Sequence, residues 1–276
     1  TLLFAFEGDI VSHLNFKKLP ALNNLPTDEI QKVYQDKDGF IWLASRYGFY
    51  QYDGYEATLY KSNLYAPGLL TNNNILCLVD DYKHNLWNIL NKKTGEIRKI
   101  LAPEIPNNVV SCLLVTRDHS VWLGTDSGLC KYIAEKDSFV VYHREQTDGV
   151  LDYTAIKSLF EDSEGDLWIG TWSSGLYRYV PSTGKFYAYP QLNERNSAHV
   201  IYEDTNKNIW VGSWNCGLFK LNNPKDLQRV SYVNYRHKLG DNISLSDDIV
   251  YDISEDLNTN TLWVGTRSGL SIMSND

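Results

Sequence analysis

The apolar positions of this chain fall in short runs rich in β-branched and aromatic side chains, divided by polar turns of Gly, Asn, Asp and Ser. Residues 155–190 show the unit. "AIKSLFED" reads as a strand, "SEGD" as a turn, "LWIGT" as a second strand and "WSSG" as a tight turn. "LYRYV" is a third strand, "PSTG" another turn, and "KFYAYP" a fourth strand with aromatic alternation. Runs of this length between such turns predict hairpins, and so four antiparallel strands.

The unit recurs along the chain as Asp, a polar turn, an aliphatic, Trp, small residues and Gly-Leu. It reads "QDKDGFIWLASRYGFYQYD" around Trp42, "TRDHSVWLGTDSGLCKY" around Trp122, "EDTNKNIWVGSWNCGLFKL" around Trp210 and "EDLNTNTLWVGTRSGLSIM" around Trp263. Four strands repeated at this period predict an all-β fold, a β-propeller of four-stranded antiparallel blades, each stable only against its neighbours. Six motifs are visible, counting a damaged copy, "DDYKHNLWNILNKKTGEI", around Trp87. The motif tryptophans lie 45, 35, 46, 42 and 53 residues apart. The short interval predicts that the loop joining strands two and three of that copy exists in the polypeptide but is not written in this sequence; a true deletion is the alternative. The last copy stops after its third strand, and "HLNFKKLP" (13–20) resembles a fourth strand without its first three. That segment is expected to close the ring by pairing into the last blade, which removes exposed edges. The ring then has six blades, or seven with one beyond Asp276. Residues 13–276 are read as one propeller domain and 1–12 as a remnant of processing or expression.

Composition narrows the function. With 19 Tyr and 8 Trp against a single Met, the 276 residues favour strands. A net charge of −8 without a basic cluster argues against a nucleic-acid surface. No apolar run reaches the roughly 20 residues that span a bilayer. Cys77, Cys112, Cys130 and Cys216 are far apart, with no C-x-x-C, and read as buried free thiols.

The repeats resemble the two-component regulator propeller repeat of periplasmic sensor regions in hybrid two-component systems of Bacteroides-type bacteria. The stretch "NFKKLPALNNLPTDEIQKVYQDKDGFIWLASRYGFYQYDGYEATLY" is similar to how such regions begin, with Leu-Pro for a more usual Leu-Ser. The departures are Ala44-Ser45 for Gly-Thr, His119 for a turn Gly, and the broken Trp87 copy. The resemblance implies a longer protein with two seven-bladed propellers, a β-sandwich, one membrane helix, a histidine kinase, a receiver and a DNA-binding domain. It implies a periplasmic location, a second propeller and β-sandwich of the same chain as partners, and a homodimer. The kinase activity would belong to the full-length protein, not to this region.

Trp42, Trp87, Trp122, Trp168, Trp210 and Trp263 recur at one position and are read as inter-blade core. Gly128-Leu129, Gly175-Leu176, Gly217-Leu218 and Gly269-Leu270 are read as turn plus core. "DKDG" and "DSEGD" cluster carboxylates, but lack the distal Glu of an EF-hand, so Asp side chains bonding turn amides are expected rather than a metal. No G-x-S-x-G or H-E-x-x-H is present, and no cofactor is expected.

In a propeller the turns that lead into strand one and those that join strands two and three share a face, here called upper; the Asp-rich turns lie on the lower face. The position four after the motif Trp sits in an upper turn and reads Arg46, Asp126, Trp172, Trp214 and Arg267, with none in the Trp87 copy. The repeat does not dictate that residue, so Trp168 is scaffold and Trp172 a candidate contact. Asn72, Asn73 and Asn74, Asn107 and Asn108, Asp152 and Tyr153, Asn196, Ser197 and His199, and Asp247 and Asp248 flank it in the turns before strand one. Rings amid Asn, Asp and Arg suit a carbohydrate, and Arg46 and Arg267 suit a uronate or sulfate. The candidate site is therefore Arg46, Tyr47, Asn73, Tyr153, Trp172, His199, Trp214, Asn215 and Arg267, with an oligosaccharide as ligand. The alternatives are that Trp172 and Trp214 pack on each other, on a loop or in a domain interface. A structural or secretion-associated interaction propeller would use the same face for protein. An enzyme would need a His and carboxylate cluster there, for which His199, Asp247 and Asp248 are the only candidates.

Overall fold

The computed structural model describes residues 30–36, 38–61, 70, 75–78, 85–86, 90–91, 98, 100–142, 144–151, 155–189 and 197–274. Within each blade, every strand pairs with the next in sequence. β1 (Ile30–Gln35), β2 (Ile41–Ser45), β3 (Gly48–Tyr52) and β4 (Ala57–Tyr60) form the Trp42 blade, and β5 (Asn85–Leu86) with β6 (Leu90–Asn91) a short hairpin. β7 (Val110–Val115), β8 (Val121–Thr125), β9 (Gly128–Ile133) and β10 (Ser138–Tyr142) form the Trp122 blade. The Trp168 blade is β11 (Ile156–Glu161), β12 (Leu167–Thr171), β13 (Leu176–Val180) and β14 (Lys185–Tyr189). The Trp210 blade is β15 (Val200–Glu203), β16 (Ile209–Gly212), β17 (Leu218–Asn222) and β18 (Ser231–Tyr235). β19 (Val250–Asp256), β20 (Thr261–Thr266) and β21 (Gly269–Ser274) form a three-stranded Trp263 blade.

The protein is an all-β propeller of four-stranded antiparallel blades, with five blades among the described residues. Where a sixth motif stands, around Trp87, the described residues hold only the β5–β6 hairpin; Trp87 itself and the closing segment 13–20 lie outside them. The chain forms two compact units. Residues 1–75 contain the Trp42 blade, and residues 76–276 contain the hairpin and the other four blades, whose first strands β7, β11, β15 and β19 lie side by side.

Trp42, Trp122, Trp168 and Trp210 are each covered by a tyrosine from the fourth strand of their own blade. Ring centroids are 6.0 Å apart for Trp42–Tyr60, 5.4 Å for Trp122–Tyr142, 5.2 Å for Trp168–Tyr189 and 5.9 Å for Trp210–Tyr235. In the second unit the next blade completes the cover. Trp122 packs with Ile156, Leu167 and Ile169, Trp168 with Ile201, Ile209 and Val211, and Trp210 with Val250, Ile253 and Val264. The cross-strand partner on β9, β13 or β17 adds a cation over the indole: Lys131 on Trp122 at 5.2 Å, Arg178 on Trp168 at 5.7 Å and Lys220 on Trp210 at 5.2 Å.

Trp263 and Leu270 depart from the expected pattern. Trp263 is half-buried and Leu270 is 57% exposed, whereas Leu129, Leu176 and Leu218 are fully buried. Leu129, Leu176 and Leu218 pair in register with the covering tyrosines Tyr142, Tyr189 and Tyr235. The Trp263 blade has no fourth strand among the described residues, so its Trp and Leu lack that ring.

The lower turns carry two carboxylate roles in adjacent residues. Asp36, Asp162 and Asp204 each accept a hydrogen bond from the indole N–H of their own blade's Trp, at 2.8, 2.9 and 2.8 Å. Their second oxygen accepts turn amides: Asp38 and Phe40 on Asp36, Glu164 and Asp166 on Asp162, Asn208 on Asp204. The residue just before, at the end of strand one, reaches back to the preceding blade. Glu161 accepts the Arg117 amide, Glu203 the amide and hydroxyl of Ser163, and Glu255 those of Thr205. A Glu-Asp pair thus ties a blade to its own core and to its neighbour.

Glycine and threonine of the motif have local causes. A Cβ on Gly170 would lie 2.3 Å from the Ala198 carbonyl, and one on Gly212 2.5 Å from the Val250 side chain, both on the next blade. The hydroxyls of Thr125, Thr171 and Thr266 donate to the carbonyls of Gly128, Gly175 and Gly269 at 2.9 Å. Ser45 does the same to Gly48 at 2.8 Å, so Ser replaces Thr there without losing the bond. His119, in place of the turn glycine, takes the left-handed conformation at φ 65°.

The "DSEGD" turn holds a cation supplied by the protein itself. Lys225 Nζ, from the turn between β17 and β18, lies 2.8 Å from Glu164 Oε2, 2.9 Å from Asp162 Oδ2 and 3.5 Å from Asp166 Oδ2. Burial would raise the pKa of Asp162, but Lys225, the Trp168 N–H and the Asp166 amide outweigh it and hold the carboxyl below its usual range. A carboxyl depressed in the folded state stabilises it above the unfolded pKa, and that stability is lost as pH falls through the folded value. Asp162→Asn is expected to cost about 1–3 kcal/mol at neutral pH. The gap from wild type should narrow as urea unfolding is repeated from neutral pH down through the carboxylate range. A gap independent of pH would show that the charge of Asp162 is not what matters.

Candidate functional site

The upper turns are fixed through their backbone amides, so the fixing does not depend on the side chain displayed. The amide of Asp126 donates to the Val109 carbonyl at 3.1 Å, that of Trp172 to Ala155 at 2.9 Å, and that of Arg267 to Ile249 at 3.0 Å. The Trp214 amide donates to Ser197 Oγ at 2.8 Å. Each strand-two turn is thereby clipped to the turn before strand one, whatever residue it displays.

A second set of positions comes from bulges at the start of strand one. The register slips by one residue between Val110 and Cys112, Ile156 and Ser158, and Val250 and Asp252, and Ile30 and Lys32 do likewise in the first unit. In the Trp210 blade the His199 amide donates to the Gly212 carbonyl while Val200 pairs with that same glycine. The extra residues are Ser111, Lys157, His199 and Tyr251, one per blade. A bulge of this kind re-aims a side chain, and here it brings strand one's first side chain to the upper turns.

Together the two sets make a continuous strip across the second unit. Trp172 and Trp214 lie 5.3 Å apart with their rings tilted by 53°. Trp214 meets Tyr251 edge-on at 5.8 Å, and His199 meets Trp214 at 5.3 Å and Tyr251 at 6.3 Å. Lys157 Nζ stands 5.8 Å over the Trp172 ring. Trp172 is 43% exposed, Trp214 36% and Tyr251 45%, against 0% for Trp168. The two tryptophans therefore do pack on each other, and still present open ring surface to solvent.

The charged groups of the strip are engaged with one another. Lys157 Nζ lies 2.7 Å from Asp126 Oδ1 and donates to Ser111 Oγ at 3.2 Å. Arg267 donates to Asp247 at 3.1 Å, and Ser268 to the same oxygen at 2.7 Å. Arg236 donates to Asp248 at 2.6 and 3.1 Å and to the Asn215 carbonyl at 3.2 Å. The Ile249 amide, the Ser268 hydroxyl and Arg267 hold Asp247 below the usual carboxylate range, and Asp248 raises Arg236. Among the described residues His199 Nδ1 is buried without a hydrogen-bond partner, and burial, followed by the Lys157 charge, pushes its pKa down, so the imidazole is neutral at pH 7.

Of the residues expected from sequence, Trp172, His199, Trp214, Asn215 and Arg267 gather on this surface. Arg46 and Tyr47 occupy the corresponding turn of the first unit, where the Tyr47 amide donates to Ser45 Oγ at 3.1 Å. Asn73 and Tyr153 lie outside the described residues, as do Asn72, Asn74, Asp152 and Asn196. Asn107 and Asn108 prove to be turn builders, accepting the amides of Val109 and Ala102. Asp247 and Asp248 are bound by arginines, and no hydrogen bond joins either to His199 among the described residues. Lys157, Tyr251 and Ser111 were not anticipated. Their signal is a variable residue directly after the aliphatic that opens strand one, in Val110-Ser111, Ile156-Lys157 and Val250-Tyr251.

The lower face offers a cleft of about 420 Å³ lined by Arg117, Asp118, Lys131, Glu161, Ser163 and Glu164 among others. Its groups are already bonded: Arg117 to Glu161 at 3.3 Å, Asp118 to Thr116 and Ser120, and Glu164 to Lys225. The upper strip, with open rings and an unpartnered imidazole nitrogen, is the better candidate.

The family model described as two component regulator propeller matches residues 24–47, 104–127, 150–173 and 194–215. Each matched segment ends in an upper turn, within a residue or two of the variable position. The chain is 32% identical over 83 residues to histidine kinase P4 of Formosa agariphila, a stretch covering 29% of this chain and 6% of that protein. Its structure is similar to the extracellular domain of BT3049 from B. thetaiotaomicron, named as a hybrid two component system, with a TM-score of 0.72 at 20% identity over 95% of this chain and 35% of that one. It is also similar to PorZ of Porphyromonas gingivalis, a surface component of the type-IX secretion system, with a TM-score of 0.66 at 14% identity over 89% of this chain and 38% of that one. The chain thus spans little more than a third of these solved structures, and at such identities they share its fold.

The two tryptophan classes should separate in stability. Trp168→Ala is expected to cost about 3–5 kcal/mol, as a fully buried aromatic does. Trp172→Ala should cost less than about 1.5 kcal/mol, the scale of an aromatic pair contact. Urea unfolding of both variants checks this, and equal losses would make Trp172 part of the core.

Proposed function

We propose that this chain, which is built of two-component regulator propeller repeats, is the ligand-sensing part of a hybrid two-component regulator and detects oligosaccharides on its upper face. The observation that carries the reading is the exposed strip of Trp172, Trp214 and Tyr251 on turns whose packing does not require aromatic side chains. Sugar rings present C–H faces that stack on indole and phenol, and hydroxyls that bond to polar neighbours; shallow, ring-lined surfaces with a few fixed polar groups suit them. The likeness in fold to the extracellular domain of BT3049 supports a sensor role and a periplasmic location.

In this reading the propeller itself is not an enzyme and uses no cofactor. The second propeller, the β-sandwich and the kinase belong to the rest of the regulator, which works as a homodimer. Signal passes only if ligand binds one arrangement of that dimer better than the other.

A thermal-shift and tryptophan-fluorescence screen of the chain against plant and host oligosaccharides tests the reading. A stabilising hit is expected, lost in Trp172→Ala and Trp214→Ala while both variants melt near wild type. If no oligosaccharide stabilises the chain, the strip is an interface for protein, as in an interaction propeller, and the sensor reading falls.

A further inference from the structure

We propose that the ligand of the upper strip is uncharged and that His199 is the polar group that orients it, an inference that rests on the oligosaccharide reading above. It replaces the expectation that Arg267 receives a uronate or sulfate.

The first ground is the pairing of charge. A cation that recognises an acidic sugar must have its charge available, yet Lys157, Arg236 and Arg267 each face a carboxylate of the same surface, Asp126, Asp248 and Asp247. An acidic ligand would have to displace one of these carboxylates and then sit beside it. Two like charges 4 Å apart repel by about 1 kcal/mol in bulk water and about 4 kcal/mol near a protein surface. The chain's net charge of −8 adds a long-range term of the same sign. A neutral sugar meets none of this and loses nothing when salt rises.

The second ground is the place of His199. Its ring stands edge-on to both Trp214 and Tyr251, in the aromatic part of the strip. The bulge puts it there, and the Ser197 hydroxyl, which would otherwise be its nearest polar neighbour in sequence, is engaged by the Trp214 amide. Lys157, Asp126 and Ser111 are bonded to one another. Among the described residues, His199 Nδ1 is the buried polar atom of the strip without a hydrogen-bond partner. As the ring stands this atom is out of solvent, so a turn of the imidazole must bring it to a ligand hydroxyl. That bond recovers the cost of a buried unpaired polar atom, about 1–3 kcal/mol. A neutral imidazole has one donor and one acceptor nitrogen, which matches a sugar hydroxyl, itself both donor and acceptor.

The test compares neutral hexasaccharides (cello-, xylo-, manno- and arabino-) with oligogalacturonate and chondroitin sulfate hexasaccharides, using calorimetry and tryptophan fluorescence on the whole chain. At least one neutral sugar should bind, with a Kd that changes less than about twofold between low and high salt. The acidic sugars should bind at least about tenfold more weakly. His199→Phe keeps a ring against Trp214 and Tyr251 and should weaken binding about tenfold, while His199→Asn, which keeps a hydrogen-bonding group, should recover part of the loss. Asp126→Asn, which releases Lys157, should gain salt-sensitive binding of the acidic sugars.

Tight, salt-sensitive binding of an acidic sugar that Trp172→Ala abolishes would overturn the uncharged ligand and leave the oligosaccharide reading standing. Wild-type affinity in a folded His199→Phe would overturn the role of His199. Binding of neither class would overturn both.

Discussion

A buried carboxylate that accepts the indole N–H of the motif tryptophan is the contact around which the Trp42, Trp168 and Trp210 blades are organised. Asp36, Asp162 and Asp204 fix the lower turn and the core ring at once, since one oxygen takes turn amides and the other the indole. The glutamate beside it extends the same logic between blades. In the Trp168 and Trp210 blades the Glu-Asp that closes strand one therefore sets the hairpin, the core and the spacing from the blade before. Hydrogen bonds to charged acceptors are stronger and shorter than neutral ones, which suits a joint repeated from one blade to the next.

With the lower face holding the blades together, the upper face is left for variation. Its turns are clipped by amides and by the Thr or Ser hydroxyl, so residues 126, 172, 214 and 267 differ from blade to blade without a structural penalty. The strip of rings arises where two consecutive blades display Trp at that position and a third displays Tyr at its bulge. The shape of the surface follows from the repeat, while its chemistry follows from the residues that the repeat does not dictate.

The fold was legible because Trp, Gly and Asp recur in register and each has a local cause. The carboxylate-to-amide bonds of the lower turns were legible for the same reason. The glutamates were not, because Glu161, Glu203 and Glu255 bond to turns forty or more residues earlier, and nothing local marks a partner at that distance. Trp172 and Trp214 stood out as aromatic side chains where packing asks for none. Lys157 and Tyr251 did not, because a bulge breaks the two-residue alternation by which inward and outward positions are told apart. Asp247, Asp248 and Arg267 were recognised as polar neighbours but not as partners. Their pairing depends on how a turn and a loop fold back on each other, which alternation does not encode.

The bulge also separates two kinds of inheritance. Because the extra residue belongs to one strand and has no opposite number on the next, a codon change at 111, 157, 199 or 251 rewrites what the surface displays and leaves the ladder and the tryptophan core as they were. A lineage can then explore new surfaces one blade at a time, and each intermediate along the way is already a folded protein.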